Sequence, residues 1–368
     1  MADRAEQIDT FLAASGWGDA VRTPLPGDAS TRRYMRLDRG GRKAMLMDQP
    51  QAAETPAAPA GASAAERRAL GYNAVARLAG ADCGRFIAAA NYLRKRGLSA
   101  PEIIAADTAQ GFVILEDLGD SLYADVVMGA NEIELYRAAA EVLATLHAER
   151  APAVLPPNKD LHAYDETALG AEVDLLTEWF MPVALGRAAT ADEVAEHRAL
   201  WQATLHAALK PQAVFVHRDY HAQNLLWLPA RKGVARVGLI DFQDAVAGSP
   251  AYDLISLVED ARRDVSPQIA EATTAHYLAT MAAQGLPVEA QAYRAQMAAM
   301  AAQRNAKIVG IFARLHKRDG KPRYLSYLPR VWGYLNRDLE HPALRGLKAW
   351  YDKTIPMAAR GAPKDANA

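Results

Sequence analysis

A single cysteine, Cys83, stands in the 368 residues. That excludes an intramolecular disulfide and any metal site built from several thiolates. Long apolar runs are missing too: no window approaches the uncharged stretch needed to span a bilayer. The opening residues, MADRAEQIDTFLAASGW, carry early acidic residues and no apolar core of signal-peptide length. Net charge is nearly absent at −1, so no global field draws the chain to nucleic acid or an anionic membrane. No internal repeat is evident. What remains is a chain with 51% hydrophobic residues, long enough to bury a large core and to divide into two lobes. The expectation is a cytoplasmic protein without nucleic-acid, membrane or obligatory protein partners.

Chemistry is concentrated in residues 214–253, VFVHRDYHAQNLLWLPARKGVARVGLIDFQDAVAGSPAYD. An apolar run leads into His217-Arg218-Asp219, Asn224 follows five residues after Asp219, and a second apolar run ends at Asp241-Phe242. This is the H-R-D-x-x-x-x-N loop followed by a strand ending in aspartate, the spacing used by phosphoryl-transfer centres. Such transfer asks for positioning and charge neutralisation, so few parts suffice. Asp219 is the candidate catalytic base, accepting a hydrogen bond from the substrate hydroxyl. Asn224 and Asp241 offer hard oxygens of the kind Mg²⁺ takes, with ATP phosphates and water completing the shell. His217 is read as a brace for the loop. Asp253 precedes a helical pattern and is read as a helix cap and loop brace.

This block resembles the aminoglycoside phosphotransferase and choline kinase-like superfamily. HRDYHAQN stands where that family has its catalytic loop, IDFQD where it has its metal motif, and residues 248–254 match its G-x-P-x-x-D-L. The resemblance implies an α+β, protein-kinase-like two-lobe fold using ATP and Mg²⁺. The small β-sheet lobe would cover residues 1–118 and the mainly helical lobe 119–357, with 358–368 expected to fray.

The rest of the pattern is read in that light. Strands are expected near 21–25, 34–37 and 44–47, an antiparallel pair at 103–106 and 112–115, and helices at 5–15, 64–78 and 85–96 and through most of the chain beyond 132. The turn at 26–33 has one glycine where a protein kinase has three, leaving Ser30, Thr31, Arg32 and Arg33 to contact phosphate. The third strand, Ala44-Met45-Leu46-Met47-Asp48, lacks the lysine that holds the α/β-phosphates. Arg32, Arg33 and Lys43 are the candidate replacements. Residues 49–80 read as an insertion beginning in an Ala/Pro-rich linker. Glu116, Asp117 and Leu118 occupy the hinge position, where backbone groups would meet the adenine edge.

Residues 303–337 are rich in cations. Arg304, Lys307, Arg314, Arg318 and Lys321, with His221 from the catalytic loop, are the candidate substrate contacts. A basic pocket favours an acceptor with a carboxylate or a neutral polyol over a polycationic one, which would want carboxylates or an aromatic cage. Residues 27–34, 46–48, 111–119, 310–315 and 318–321 also resemble the anomeric N-acetylmuramate/N-acetylglucosamine kinases of bacterial cell-wall recycling. That likeness implies phosphorylation of an amino sugar at C1, and it departs at 49–80. The alternatives are a kinase for another sugar, homoserine, an aminoglycoside or choline, and a nucleotide-binding scaffold without turnover.

Overall fold

The computed structural model describes residues 3–26, 32–50, 58–59, 61–76, 82–209 and 213–362. The first helix, α1 (Arg4–Ala14), starts where the Glu6 carboxylate accepts the Asp3 N–H at 3.3 Å. Its buried Ile8, Phe11 and Leu12 lie on a sheet face carrying Leu37, Ala44, Leu46, Phe112 and Ile114. That sheet contains β1 (Val21–Pro24), β2 (Arg33–Arg39) and β3 (Arg42–Asp48). Alternation along the strands gives Tyr34, Arg36, Met45 and Met47 to the opposite face, because Tyr34 pairs with Met47 and Arg36 with Met45 across the ladder.

After β3 come two short helices, α2 (Ala64–Ala69) and α3 (Tyr72–Ala76). One continuous helix was the sequence expectation; the break falls at Gly71, whose φ of +89° is a left-handed value a side chain resists. Then follow α4 (Cys83–Lys95), β4 (Ile103–Asp107) and β5 (Phe112–Leu115). The finished sheet is antiparallel in the order β1-β2-β3-β5-β4. Beyond it the chain becomes mainly helical, so the fold is the kinase-like α+β arrangement of a small sheet lobe and a larger helical one.

The helical part runs through α5 (Tyr123–Val126), α6 (Glu132–His147), the two-residue strands β6 (Val154–Leu155) and β7 (Lys159–Asp160), α7 (Glu166–Leu175), α8 (Met181–Leu185) and α9 (Ala191–Ala208). Four three-residue strands then frame the motif block: β8 (Val214–Val216), β9 (Leu225–Trp227), β10 (Val237–Leu239) and β11 (Val246–Gly248). The chain ends in α10 (Ala251–Val258), α11 (Pro267–Ala283), α12 (Ala290–Lys317), α13 (Leu328–Asp338) and α14 (Arg345–Thr354). None of the described helices is long and apolar enough to cross a membrane. Of the tail expected to fray, Arg360 is instead pinned by hydrogen bonds to the Ile355 carbonyl, Asn336 and Asp352, and residues 363–368 lie outside the described residues.

Helix α12 is the spine of the larger lobe, buried over most of its middle. It crosses the end of α7 at Gly310, where an added Cβ would stand 2.4 Å from the Leu175 carbonyl carbon. Backbone cannot yield as a side chain does. Gly310→Ala is therefore expected to destabilise the protein by about 1–3 kcal/mol through overpacking, read as a lower urea midpoint at unchanged slope.

Candidate active site

The short ladders position the motif. β8 pairs with β11 and β9 with β10, so the loop from His217 to Asn224 leaves one pair and enters the other, and β10 delivers Asp241 beside it. Arg218 (φ 75°) and Asp241 (φ 63°) are the two non-glycine residues with positive φ among the described residues. Such backbone persists where the surroundings over-determine it. Here Asp253 accepts the His217 N–H at 2.6 Å and the Arg218 N–H at 2.9 Å. The Arg218 guanidinium reaches the fully buried Glu172 at 2.7 Å, and Lys307 meets the same carboxylate at 3.0 Å. The His217 ring packs edge-on against Tyr220 and Phe242, tying the first half of the motif to the second. Burial lowers the His217 pKa to about 4. Asp253 thus sits as a brace, but not as the cap: the cap position of α10 is Pro250, and the Asp253 carboxylate turns inward to the loop instead.

Asp219, Asn224 and Asp241 are brought together. Asn224 Nδ2 donates to the Asp219 carbonyl at 2.9 Å and lies 3.5 Å from Asp241 Oδ2. Asp241 Oδ1 accepts from Gln243 Nε2 at 2.9 Å and from Arg32 Nη1 at 3.2 Å. Asp219 and Asp241 line a cavity of about 330 Å³. Burial alone would raise the Asp219 carboxyl, but Lys307, His221, Arg218 and His217 together outweigh it and hold the pKa at about 2. The carboxylate is ionised throughout the physiological range.

Among the described residues, no group of three or more His, Cys, Asp or Glu is placed to hold a metal by itself. The donor set on hand is one half-exposed carboxylate, Asp241, and one amide oxygen, Asn224. That fits Mg²⁺, which binds through one or two protein oxygens and keeps water and substrate phosphates for the rest.

On the nucleotide side, Arg32 is buried against Asp241 and is the cation this arrangement brings to the cleft. Arg33 and Lys43 are exposed on the strands and are not brought there. Ser30 and Thr31 lie outside the described residues. Sequence reasoning missed Arg36: it stands on the inner sheet face and bonds Asp117 of the hinge at 2.7 Å and Asp120 just past it at 2.6 Å. The strand alternation could have placed it there. At the hinge itself, Glu116 N–H is taken by the Glu102 carbonyl at 2.8 Å, and the Glu116 carboxylate is held by Arg231 at 2.5 Å. The Leu118 N–H and Glu116 carbonyl have no protein partner among the described residues.

Of the candidate acceptor contacts, His221, Arg304, Lys307, Arg314 and Arg318 all line the cavity with Asp219, and His221 Nε2 also lies 3.5 Å from Asn224 Nδ2; Lys321 does not line it. Arg318 is paired with Asp319 at 2.6 Å. Arg262 and Tyr72 also line it and were not foreseen. Tyr72 comes from the insertion, with the Arg314 guanidinium 4.8 Å from its ring centre, and no motif marks it. A larger cavity of about 780 Å³ lies between α2–α3 and α7–α9. It shares only Tyr72 with the first and contains none of the motif residues, so the smaller cavity is the candidate active site.

Residues 21–291 match the model of the phosphotransferase enzyme family. An N-acetylmuramate/N-acetylglucosamine kinase of Caulobacter vibrioides is 46% identical over 366 residues, covering 98% of this chain and 99% of that protein. One from Pseudomonas aeruginosa is 33% identical over 333 residues, covering 89% and 87%. Among solved structures, the ADP-bound aminoglycoside phosphotransferase APH(2'')-Ib superposes with a TM-score of 0.55 at 14% identity, over 90% of this chain and 97% of that one. That likeness speaks for the fold.

Proposed function

The chain belongs to the phosphotransferase enzyme family, and on that premise we propose that it is an ATP- and Mg²⁺-dependent kinase that phosphorylates N-acetylmuramate and N-acetylglucosamine at the anomeric C1 hydroxyl. The observation that carries this reading is that Asp219 and Asp241 line one cavity with His221, Arg304 and Arg262, while Asn224 bonds the Asp219 carbonyl and lies 3.5 Å from Asp241 Oδ2. The 46% identical relative bears the name of a kinase for those two sugars. Peptidoglycan recycling in the cytoplasm is the process such an activity would serve.

The roles follow from chemistry. Asp219, ionised, accepts the hydrogen bond of the sugar hydroxyl, aims it at the γ-phosphate and takes its proton late. An anomeric hydroxyl is more acidic than an ordinary alcohol, so little basicity is asked of a carboxylate held at about 2. Asp241 and Asn224 hold Mg²⁺ against the phosphates, and the ion supplies neutralisation of the charge that develops there. Arg32, already beside Asp241, adds a second cation on the phosphate side. The Glu116 carbonyl and Leu118 N–H would receive adenine, and Asp117 and Arg36 fix that segment from behind.

ADP release with Mg-ATP and a panel of acceptors tests the substrate class. Turnover with N-acetylmuramate and N-acetylglucosamine, and little with a hexose, homoserine or an aminoglycoside, is the expected result. ADP formed only with one of the others would overturn the assignment. Asp241→Asn should raise the Mg²⁺ concentration for half-maximal activity by more than about tenfold; an unchanged Mg²⁺ dependence would remove Asp241 from the metal site.

A further inference from the structure

Four cations among the described residues have less than a tenth of their surface exposed: Arg32, Arg218, Arg304 and Lys307. Three of them meet a carboxylate, Arg32 at Asp241 and both Arg218 and Lys307 at Glu172. Arg304, 4% exposed, meets none within ion-pair distance. Its hydrogen bond is to a neutral group, the Glu259 carbonyl, from Nη1 at 3.1 Å. The nearby carboxylates are already committed. Asp253 gives both oxygens to the His217 and Arg218 N–H groups, and Asp260 receives the Arg262 and Ala222 N–H groups at 2.8 and 3.4 Å. The charge of the fully buried Asp253 acts on Arg304 from beyond ion-pair distance, but a buried guanidinium without a direct ion pair keeps donors that folding alone does not use. A ligand does.

The side chain of Arg304 lines the cavity that holds Asp219, and two further donors stand with it. Arg262 Nη1 lies 3.2 Å from His221 Nε2. Arginine can only donate, so Nε2 accepts, and the neutral imidazole carries its proton on Nδ1. That Nδ1–H is buried and without a partner in a residue 5% exposed. Arg262 also makes no side-chain ion pair with a carboxylate among the described residues, unlike its neighbour Arg263, which pairs with Glu132. Two guanidinium groups outside any ion pair, lining the cavity with Asp219 and one of them held by His221, are the donor set for an oxyanion.

We infer that Arg304, Arg262 and His221 form a carboxylate-binding subsite on the acceptor side of Asp219, which makes the enzyme favour a sugar bearing an acidic substituent over its neutral counterpart. The inference rests on the proposed sugar-kinase reading and deepens it. An oxyanion could also come from the nucleotide. Arg304 lies on α12 and Arg262 just beyond α10, in the helical lobe, whereas the phosphate side is marked by Arg32, Asp241 and the hinge, so the acceptor is the source argued here.

The two sugars differ by the lactyl carboxylate, which makes each the control for the other. In Arg304→Gln, the ratio of kcat/KM for N-acetylmuramate to that for N-acetylglucosamine is expected to fall about 100-fold, the worth of a charge-assisted hydrogen-bonded pair. The ligand-free variant is expected to melt close to wild type, because the substitution breaks no direct ion pair and removes one hydrogen bond to a neutral carbonyl. Arg262→Gln, at a half-exposed loop position, should move the ratio in the same direction and covers the case in which the first variant does not fold. A ratio unchanged in both variants, or a rise confined to the KM for ATP, would overturn the subsite. A wild-type protein that phosphorylates neither sugar would overturn the functional reading and this inference together.

Discussion

Asp219→Asn is expected to lower kcat by about 10²–10⁴-fold, the range supplied by a positioned general base, while the protein still binds Mg-ATP. The side chain keeps its size and the loop keeps its frame. That frame does not depend on the Asp219 carboxylate: Asn224 bonds the Asp219 carbonyl, and Asp253 bonds the two N–H groups ahead of it. What disappears is the negative charge that orients the hydroxyl and collects its proton. Steady-state turnover with N-acetylmuramate, beside a nucleotide titration by calorimetry, separates the two effects. Retention of more than about a tenth of wild-type kcat would fall outside that range and remove Asp219 from the role. Because its pKa is held at about 2, Asp219 should also contribute no acid limb to the pH–rate profile above pH 4.

Glu172→Ala should cost about 3–5 kcal/mol of stability, the penalty for leaving buried charge without its partner. Glu172 is fully buried and serves two cations at once, Arg218 at 2.7 Å and Lys307 at 3.0 Å, with Tyr164 and Gln303 as further donors. Burial alone would raise its pKa, but Lys307 and Arg218 bring it below the usual carboxylate range. A carboxyl whose folded pKa is lowered stabilises the protein fully above its unfolded pKa and loses that contribution as pH falls through the folded one. The stability difference between wild type and Glu172→Ala is therefore largest at neutral pH and narrows below about pH 4. Urea unfolding at pH 7 and at about pH 3 measures both points. A difference under about 1 kcal/mol at pH 7 would mean that water, not Glu172, compensates Arg218 and Lys307.

Legibility in the sequence followed the range of the interactions. That Asp219, Asn224 and Asp241 come together was readable, because the proposed phosphoryl transfer asks for them at set spacings along two adjoining segments. Strands were readable where alternation was strong, as in β2 and β3. The bracing role of Asp253 was partly readable from its place after the motif, but its two hydrogen bonds to the loop displaced the capping role that local sequence suggested. Glu172 carried no signal at all: it lies 46 residues from Arg218 in a helix of its own, and its importance comes from being the one carboxylate two buried cations share. Composition marked 303–337 as basic, yet it could not sort Arg304, buried in the cavity, from Arg330, which pairs with Asp264 on the surface. That sorting depends on where α12 and α13 face, which packing decides.

Phosphorus NMR of the products formed from Mg-ATP and N-acetylmuramate tests the proposal most directly. A new phosphomonoester signal coupled to the anomeric proton, with ADP in equal amount, is the predicted result. A phosphomonoester coupled to a proton elsewhere on the ring, or ATP left intact with this sugar and with N-acetylglucosamine, would contradict it.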